Sequence, residues 1–256
     1  MNINLKLFVL ANALLFTSNS WAIPVIPIGG SFTISTIYEG SGSSNGSAPL
    51  LAVGDSIEGI GFVNTILDAN NVVVWNSASG DQLAVIFKDY LAVSLSSQTA
   101  PAEAQFTGGK LDIYSTVASL VPTGNFTNDE ATILGAQSGL FLSTEGASAG
   151  LADPLVTLDS FISAGTLANI GAGSGLGFLN VTGGSQAGNI VKGAVQGKDL
   201  SLASSFNSDT TNGYAVSGSL TLKSLEATTV PEPGSLALLG IGLLGFAASS
   251  VLRKKA

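Results

Sequence analysis

Residues 213–223 read Gly-Tyr-Ala-Val-Ser-Gly-Ser-Leu-Thr-Leu-Lys, so that Tyr214, Val216, Gly218, Leu220 and Leu222 alternate with Ala215, Ser217, Ser219, Thr221 and Lys223. A period of two sends successive side chains to opposite faces, which makes this a strand with one buried and one wet face. Less regular runs of the same kind cover Ser31 to Tyr38, Ile57 to Leu67, Asn71 to Trp75, Leu83 to Leu95, Leu111 to Val117, Val156 to Ile162 and Leu176 to Val181. Turn-forming pieces separate them, among them residues 40–47 (Gly-Ser-Gly-Ser-Ser-Asn-Gly-Ser), 68–71 (Asp-Ala-Asn-Asn) and 77–81 (Ser-Ala-Ser-Gly-Asp).

Many short strands divided by such turns predict a mainly β chain, folded as an antiparallel β-sandwich or a jelly-roll-like domain. One short helix is expected from Thr127 to about Gly139, where Thr127 and Glu130 form a capping box and Ile133, Leu134 and Gln137 follow at helical spacing. The Gly-rich stretch 165–188 is punctuated by Leu167, Ile170, Leu176, Phe178, Leu179 and Val181, too regularly for a solvated linker. Residues 23–223 therefore read as one domain, with residues 224–230 as a tether.

The two ends have another character. Residues 1–22 read as a secretory signal peptide: Lys6 near the amino terminus, an apolar stretch from Leu7 to Phe16, and Ser20-Trp21-Ala22, which supplies the small residues Ser20 and Ala22 before a cut after Ala22. At the other end no residue from Ser235 to Leu252 is charged, and Arg253, Lys254 and Lys255 follow. At about 1.5 Å per residue such a helix reaches roughly 27 Å, close to the ~30 Å hydrocarbon core, so a single carboxy-terminal transmembrane helix is expected. The basic triplet places its own side in the cytoplasm and the domain outside it. Ahead of the span, Pro231-Glu232-Pro233 holds an extended strip that joins neither helix nor sheet, a form another protein can grip.

Pro231-Glu232-Pro233, the apolar segment and the closing Arg253-Lys254-Lys255 together resemble the PEP-CTERM sorting signal of Gram-negative bacteria. The resemblance covers residues 231–256 and carries no identity for the domain before them. It implies recognition at Pro231, Glu232 and Pro233 by an exosortase-type membrane enzyme, after export through the secretory translocon and cleavage by signal peptidase. It also implies a transient inner-membrane anchor, then cell surface or extracellular placement, with a role in exopolysaccharide, biofilm or floc matrix.

Composition limits the chemistry available. The chain has 256 residues with no histidine and no cysteine, which excludes imidazole bases, thiol nucleophiles, Ser-His-Asp triads and disulfides. Between residues 23 and 230 five cations (Lys88, Lys110, Lys192, Lys198 and Lys223) face sixteen carboxylates, a net charge of −11. Such a surface suits neither nucleic acid nor anionic lipid, and no nucleic-acid partner is expected.

The glycines of 171–177 lack the third glycine at the dinucleotide-loop offset, because Leu176 and Phe178 stand there. Residues 68–71, Asn128-Asp129-Glu130 and Asn207-Ser208-Asp209 could each offer oxygens to Ca²⁺, against their ordinary use as Asx turns and a helix cap. Asn45, Asn125 and Asn180 stand in Asn-x-Ser/Thr triplets and read as turn or strand-end residues. Trp75, Tyr38, Tyr90, Tyr114 and Tyr214 could supply sugar platforms, although Trp75 and Tyr214 lie on apolar faces. The expectation is thus a non-enzymatic exported protein with no catalytic residues, metal or cofactor. The alternative is a carbohydrate-binding or carboxylate-based carbohydrate-active module, stabilised by Ca²⁺.

Overall fold

The described residues form ten strands in one continuous sheet, eight of them carrying the period-two runs, and every pairing in it is antiparallel. The structure is a computed structural model that describes residues 24–42, 52–77, 82–117, 119–148, 155–193, 197–209 and 212–225. Its strands are β1 (Ser31–Ser41), β2 (Ser56–Leu67), β3 (Val73–Asn76), β4 (Gln82–Leu95), β5 (Ala102–Thr116), β6 (Gln137–Ala147), β7 (Val156–Thr166), β8 (Asn169–Gly183), β9 (Leu200–Ser208) and β10 (Val216–Ser224). One helix, α1 (Phe126–Ala136), joins β5 to β6.

The sheet closes on itself. β1 pairs with β10 on one side and with β2 on the other, and the path β10-β9-β8-β6-β5-β4-β2 completes the ring. This corrects the expected sandwich or jelly roll: a barrel and a sandwich both bury one face of each strand, so the period of two cannot separate them. β6 and β7 run in the same direction and form the two halves of one stave. β6 pairs with Lys110–Thr116 of β5 and the second half of β8, while β7 pairs with Ala102–Thr107 of β5 and the first half of β8. With that stave counted once, the barrel has eight staves, and β3 hangs on β2 outside the ring.

The pairing Ser31↔Lys223 marks one pole and Glu39↔Val216 the other. At the first pole Phe32, Ile34, Val63, Ile66, Leu83, Ile113, Phe141, Leu142, Leu200 and Leu222 are fully buried and fill the interior. Phe32 and Phe141 meet edge to face with ring centroids 6.2 Å apart. Each such side chain contributes about 1.5–3 kcal/mol when fully buried. The segment before β1 lies over this pole: Ile26 is buried in the same core and its N–H donates to Gln186 Oε1 at 3.1 Å.

α1 lies on the outer surface, where Phe126 and Ile133 pack with Ile60, Ala84, Ile86 and Tyr214. Its cap is Asn125, whose side chain accepts from the Asn128 N–H at 3.1 Å, in place of the expected Thr127 capping box. It ends at Ala136, because β6 begins at Gln137. Likewise β10 begins at Val216, leaving Tyr214 in the outer cluster. It runs through Ser224, opposite Leu200, so the first residue of the expected tether belongs to the sheet. Among the described residues no helix is long and apolar enough to cross a membrane. The expected transmembrane helix, 235–252, lies outside the described residues.

Candidate functional site

The second pole is hollow. Its interior holds a cavity in which the space open to centres of water-sized spheres is about 70 Å³, several times the ~10–15 Å³ that one water requires. Aliphatic and aromatic side chains from all eight staves make the wall, including Ile37, Ile57, Phe87, Phe106, Leu158, Ile170, Phe206 and Val216. Four lining residues carry polar side chains: Glu39, Tyr90, Ser160 and Ser204. Among the described residues no Lys or Arg lines the cavity, and Glu39 is the one carboxylate there.

Two irregularities in the ladder put Glu39 and Tyr90 inside. Between Ile34 and Ile37, β1 carries one residue more than β10 opposite, where Leu220 and Gly218 face them. The bulge changes the parity of the strand, so that Phe32, Ile34, Ile37 and then Glu39 face inward while Tyr38 faces the outer cluster. Similarly, Phe87 and Tyr90 of β4 face Gly59 and Ile57 of β2 across a register shift. Asp89 between them takes the left-handed conformation, with φ of 65°. The Tyr90 ring then lies over Gly109, where a Cβ would come within 2.2 Å of it and where φ is 90°, so only glycine fits.

The electrostatics follow from the enclosure. Glu39 lines the cavity and is half-buried as a residue, with protein packed around its carboxyl. Burial raises its pKa to about 7. The Tyr90 hydroxyl is buried without a hydrogen-bond partner among the described residues, and burial pushes its pKa up. Among the described residues the interior is therefore an apolar chamber with one protonatable acid, Glu39, and three hydroxyls, those of Tyr90, Ser160 and Ser204.

The acidic clusters serve the fold. Asp68 Oδ1 accepts from the N–H groups of Asn70 at 2.9 Å and Val72 at 2.8 Å, an Asx turn leading into β3. Asp129 is 3% exposed and receives the Thr123 N–H at 2.8 Å, the Thr123 hydroxyl at 2.7 Å and the Tyr214 hydroxyl at 2.8 Å. Glu130 pairs with Lys88 at 2.5 Å, fastening α1 to β4. Asp209 accepts from Asn212 Nδ2 at 3.2 Å within the turn before β10. The three expected Ca²⁺ candidates thus lie on separate elements, with no group of three or more acids gathered among the described residues. Glu58 is raised to about 7, chiefly by burial and then by the charges of Glu130 and Asp89, against the pull of Lys88.

The aromatic candidates likewise lie in packing roles. Tyr214 is buried, with Tyr38 tilted against it at 5.8 Å between ring centroids. Trp75 packs against the main core, and the Tyr114 hydroxyl donates to Asp112 Oδ2 at 3.3 Å. Residues 171–177 lie in β8, consistent with the absence of a nucleotide loop. Of the Asn-x-Ser/Thr positions, Asn125 caps α1 and Asn180 lies in β8.

The sequence reading missed Glu39 as a site residue, because an acid after Tyr38 reads as outward-facing in an unbroken period of two. Its signal was the irregular alternation of Ser31 to Tyr38 itself. Residues 1–22, expected as a signal peptide cut after Ala22, and Asn45, Pro231, Glu232, Pro233, Arg253, Lys254 and Lys255 lie outside the described residues.

Comparison with known families bears on the tail. Residues 229–254 match the PEP-CTERM protein-sorting motif. The match includes Pro231, Glu232, Pro233, Arg253 and Lys254. It identifies the tail as a sorting signal, which implies export, a membrane-anchored carboxy-terminal segment and an exosortase as processing partner. No curated protein matches the chain.

Proposed function

We propose that the chain is a non-enzymatic exported protein whose β-barrel is the cargo and whose tail is the delivery device. The carrying observation is the sorting motif over residues 229–254. In this reading the signal peptide is cut after Ala22 and the tail holds the barrel at the inner membrane. Pro231-Glu232-Pro233 presents an extended strip to the exosortase, and Arg253-Lys254-Lys255 fixes the cytoplasmic end. The delivered barrel serves in an extracellular matrix, biofilm or floc. Two features support that destination. With neither cysteine nor histidine the barrel depends on no disulfide and offers no thiol to oxidants outside the cell. Its net charge of −11 keeps it soluble.

Replacing Pro231-Glu232-Pro233 by three alanines, with the protein followed by size and location, tests the proposal. The expected result is an unprocessed form retained in the membrane fraction. Normal maturation and surface delivery of the variant would overturn it.

A further inference from the structure

We infer that the hollow pole of the barrel is a binding site for a small neutral amphiphile, a slender aliphatic body ended by one hydroxyl, with Glu39 receiving that hydroxyl. Nothing in the sorting role requires a chamber, so the inference stands apart from it. A protein interior is normally filled to the density of an organic crystal. Here the first pole obeys that rule, while the second keeps about 70 Å³ open, with Ser160 and Ser204 at inward positions where a Leu would help to fill the space. An unfilled interior loses dispersion contacts on every wall atom, and a guest restores them.

The chemistry of the guest follows from the wall. Its body must be apolar, because Ile57, Phe106, Leu158 and Phe206 surround it. Its polar end must be small, because the polar side chains on the wall are few: the Glu39 carboxyl and the hydroxyls of Tyr90, Ser160 and Ser204. An anionic end, such as a fatty acid carboxylate, would meet Glu39 and find no Lys or Arg. Burial keeps Glu39 protonated up to about neutral pH, so it offers one donor and one acceptor. A hydroxyl is the complement of that pair, whereas an ammonium would need the ionised acid.

The test uses the exported protein purified as its producing cells deliver it, titrated calorimetrically at pH 6 with octanol, octanoate and octylamine. Octanol should bind with one-to-one stoichiometry, and the other two at least about tenfold more weakly, the loss of one well-made hydrogen bond. Absence of octanol binding, octanoate binding as tight as octanol, or octylamine binding tighter than octanol would each overturn the inference. Glu39→Gln retains a donor and an acceptor and should bind octanol within about threefold of the parent. Glu39→Leu should lose about tenfold, and equal affinity in the two variants would remove Glu39 from the site. Location is read on the unaltered protein by NMR. Octanol should shift the methyl signals of Ile57, Ile162 and Ile170 and leave those of Ile60 and Ile133 in place, and the reverse pattern would put the site on the outer surface.

Discussion

The Tyr214 hydroxyl donates to Asp129 Oδ2 at 2.8 Å across 85 positions of sequence, tying the approach to β10 to the first turn of α1. Burial first, and then Asp129, raise the pKa of Tyr214 far above its ordinary value. Tyr214→Phe keeps the ring against Tyr38 and removes one of three donors to the carboxylate, so a loss of about 1–2 kcal/mol is expected. Asp129→Ala strands Thr123 and Tyr214 together and should cost about 3 kcal/mol or more. Urea unfolding of the two variants measures both, and an equal effect would mean that the hydroxyl carries the whole link.

Gly218 shows how closely the staves β9 and β10 approach. A Cβ built there would come within 1.9 Å of the Ser205 carbonyl oxygen, which is backbone and cannot yield. Gly218→Val should therefore destabilise by about 3 kcal/mol or prevent barrel closure. Gly135 is the contrast, since a Cβ there meets nothing within 4 Å. On the exposed side of α1, Gly135→Ala should stabilise by about 0.5–1 kcal/mol. Thermal unfolding of the pair should give shifts of opposite sign.

The buried acid makes stability depend on pH. Glu39 titrates at about 7 in the folded protein against 4.5 as its ordinary value. Between these values the native protein binds a proton that the unfolded chain has released, so stability falls as pH rises through the window and levels off above it. Glu58, raised to about the same value, acts in the same direction. Glu39→Gln should reduce the fall and be more stable than the parent at about pH 8, by about 1–3 kcal/mol. Urea midpoints at about pH 5 and pH 8 check this, and an undiminished fall in Glu39→Gln would assign the effect to Glu58.

What the sequence shows of this protein depends on how local each feature is. The alternation of Val216, Leu220 and Leu222 with Ser217, Thr221 and Lys223 is local and reads directly as β10. The tail is local too, since the motif, the apolar run and the basic end adjoin one another. β6 was hidden because Phe141 and Leu142, adjacent in sequence, are both buried, which breaks a period of two. β9 was hidden because Ser204 occupies an inward position between Leu202 and Phe206. Closure of the ring lies in the pairing of β1 with β10, whose partners Ser31 and Lys223 are nearly the whole domain apart. Glu39 was hidden by the bulge that follows Ile34, a device of hydrogen-bond register whose one trace in the sequence is the irregular alternation of Ser31 to Tyr38.

The return of the eighth stave to the side of the first gives the molecule a base and a brim. Ser31 and Lys223 are neighbours at the base, and Leu225, the last described residue, lies four positions before the sorting motif. Glu39 stands eight residues further along its stave, about 25 Å away at ~3.3 Å per residue. The brim is thus the end of the barrel away from Leu225, the described residue nearest the sorting motif. No residue of the matched tail belongs to a described strand of the ring or to the described cavity wall, so trimming the tail removes nothing from the vessel.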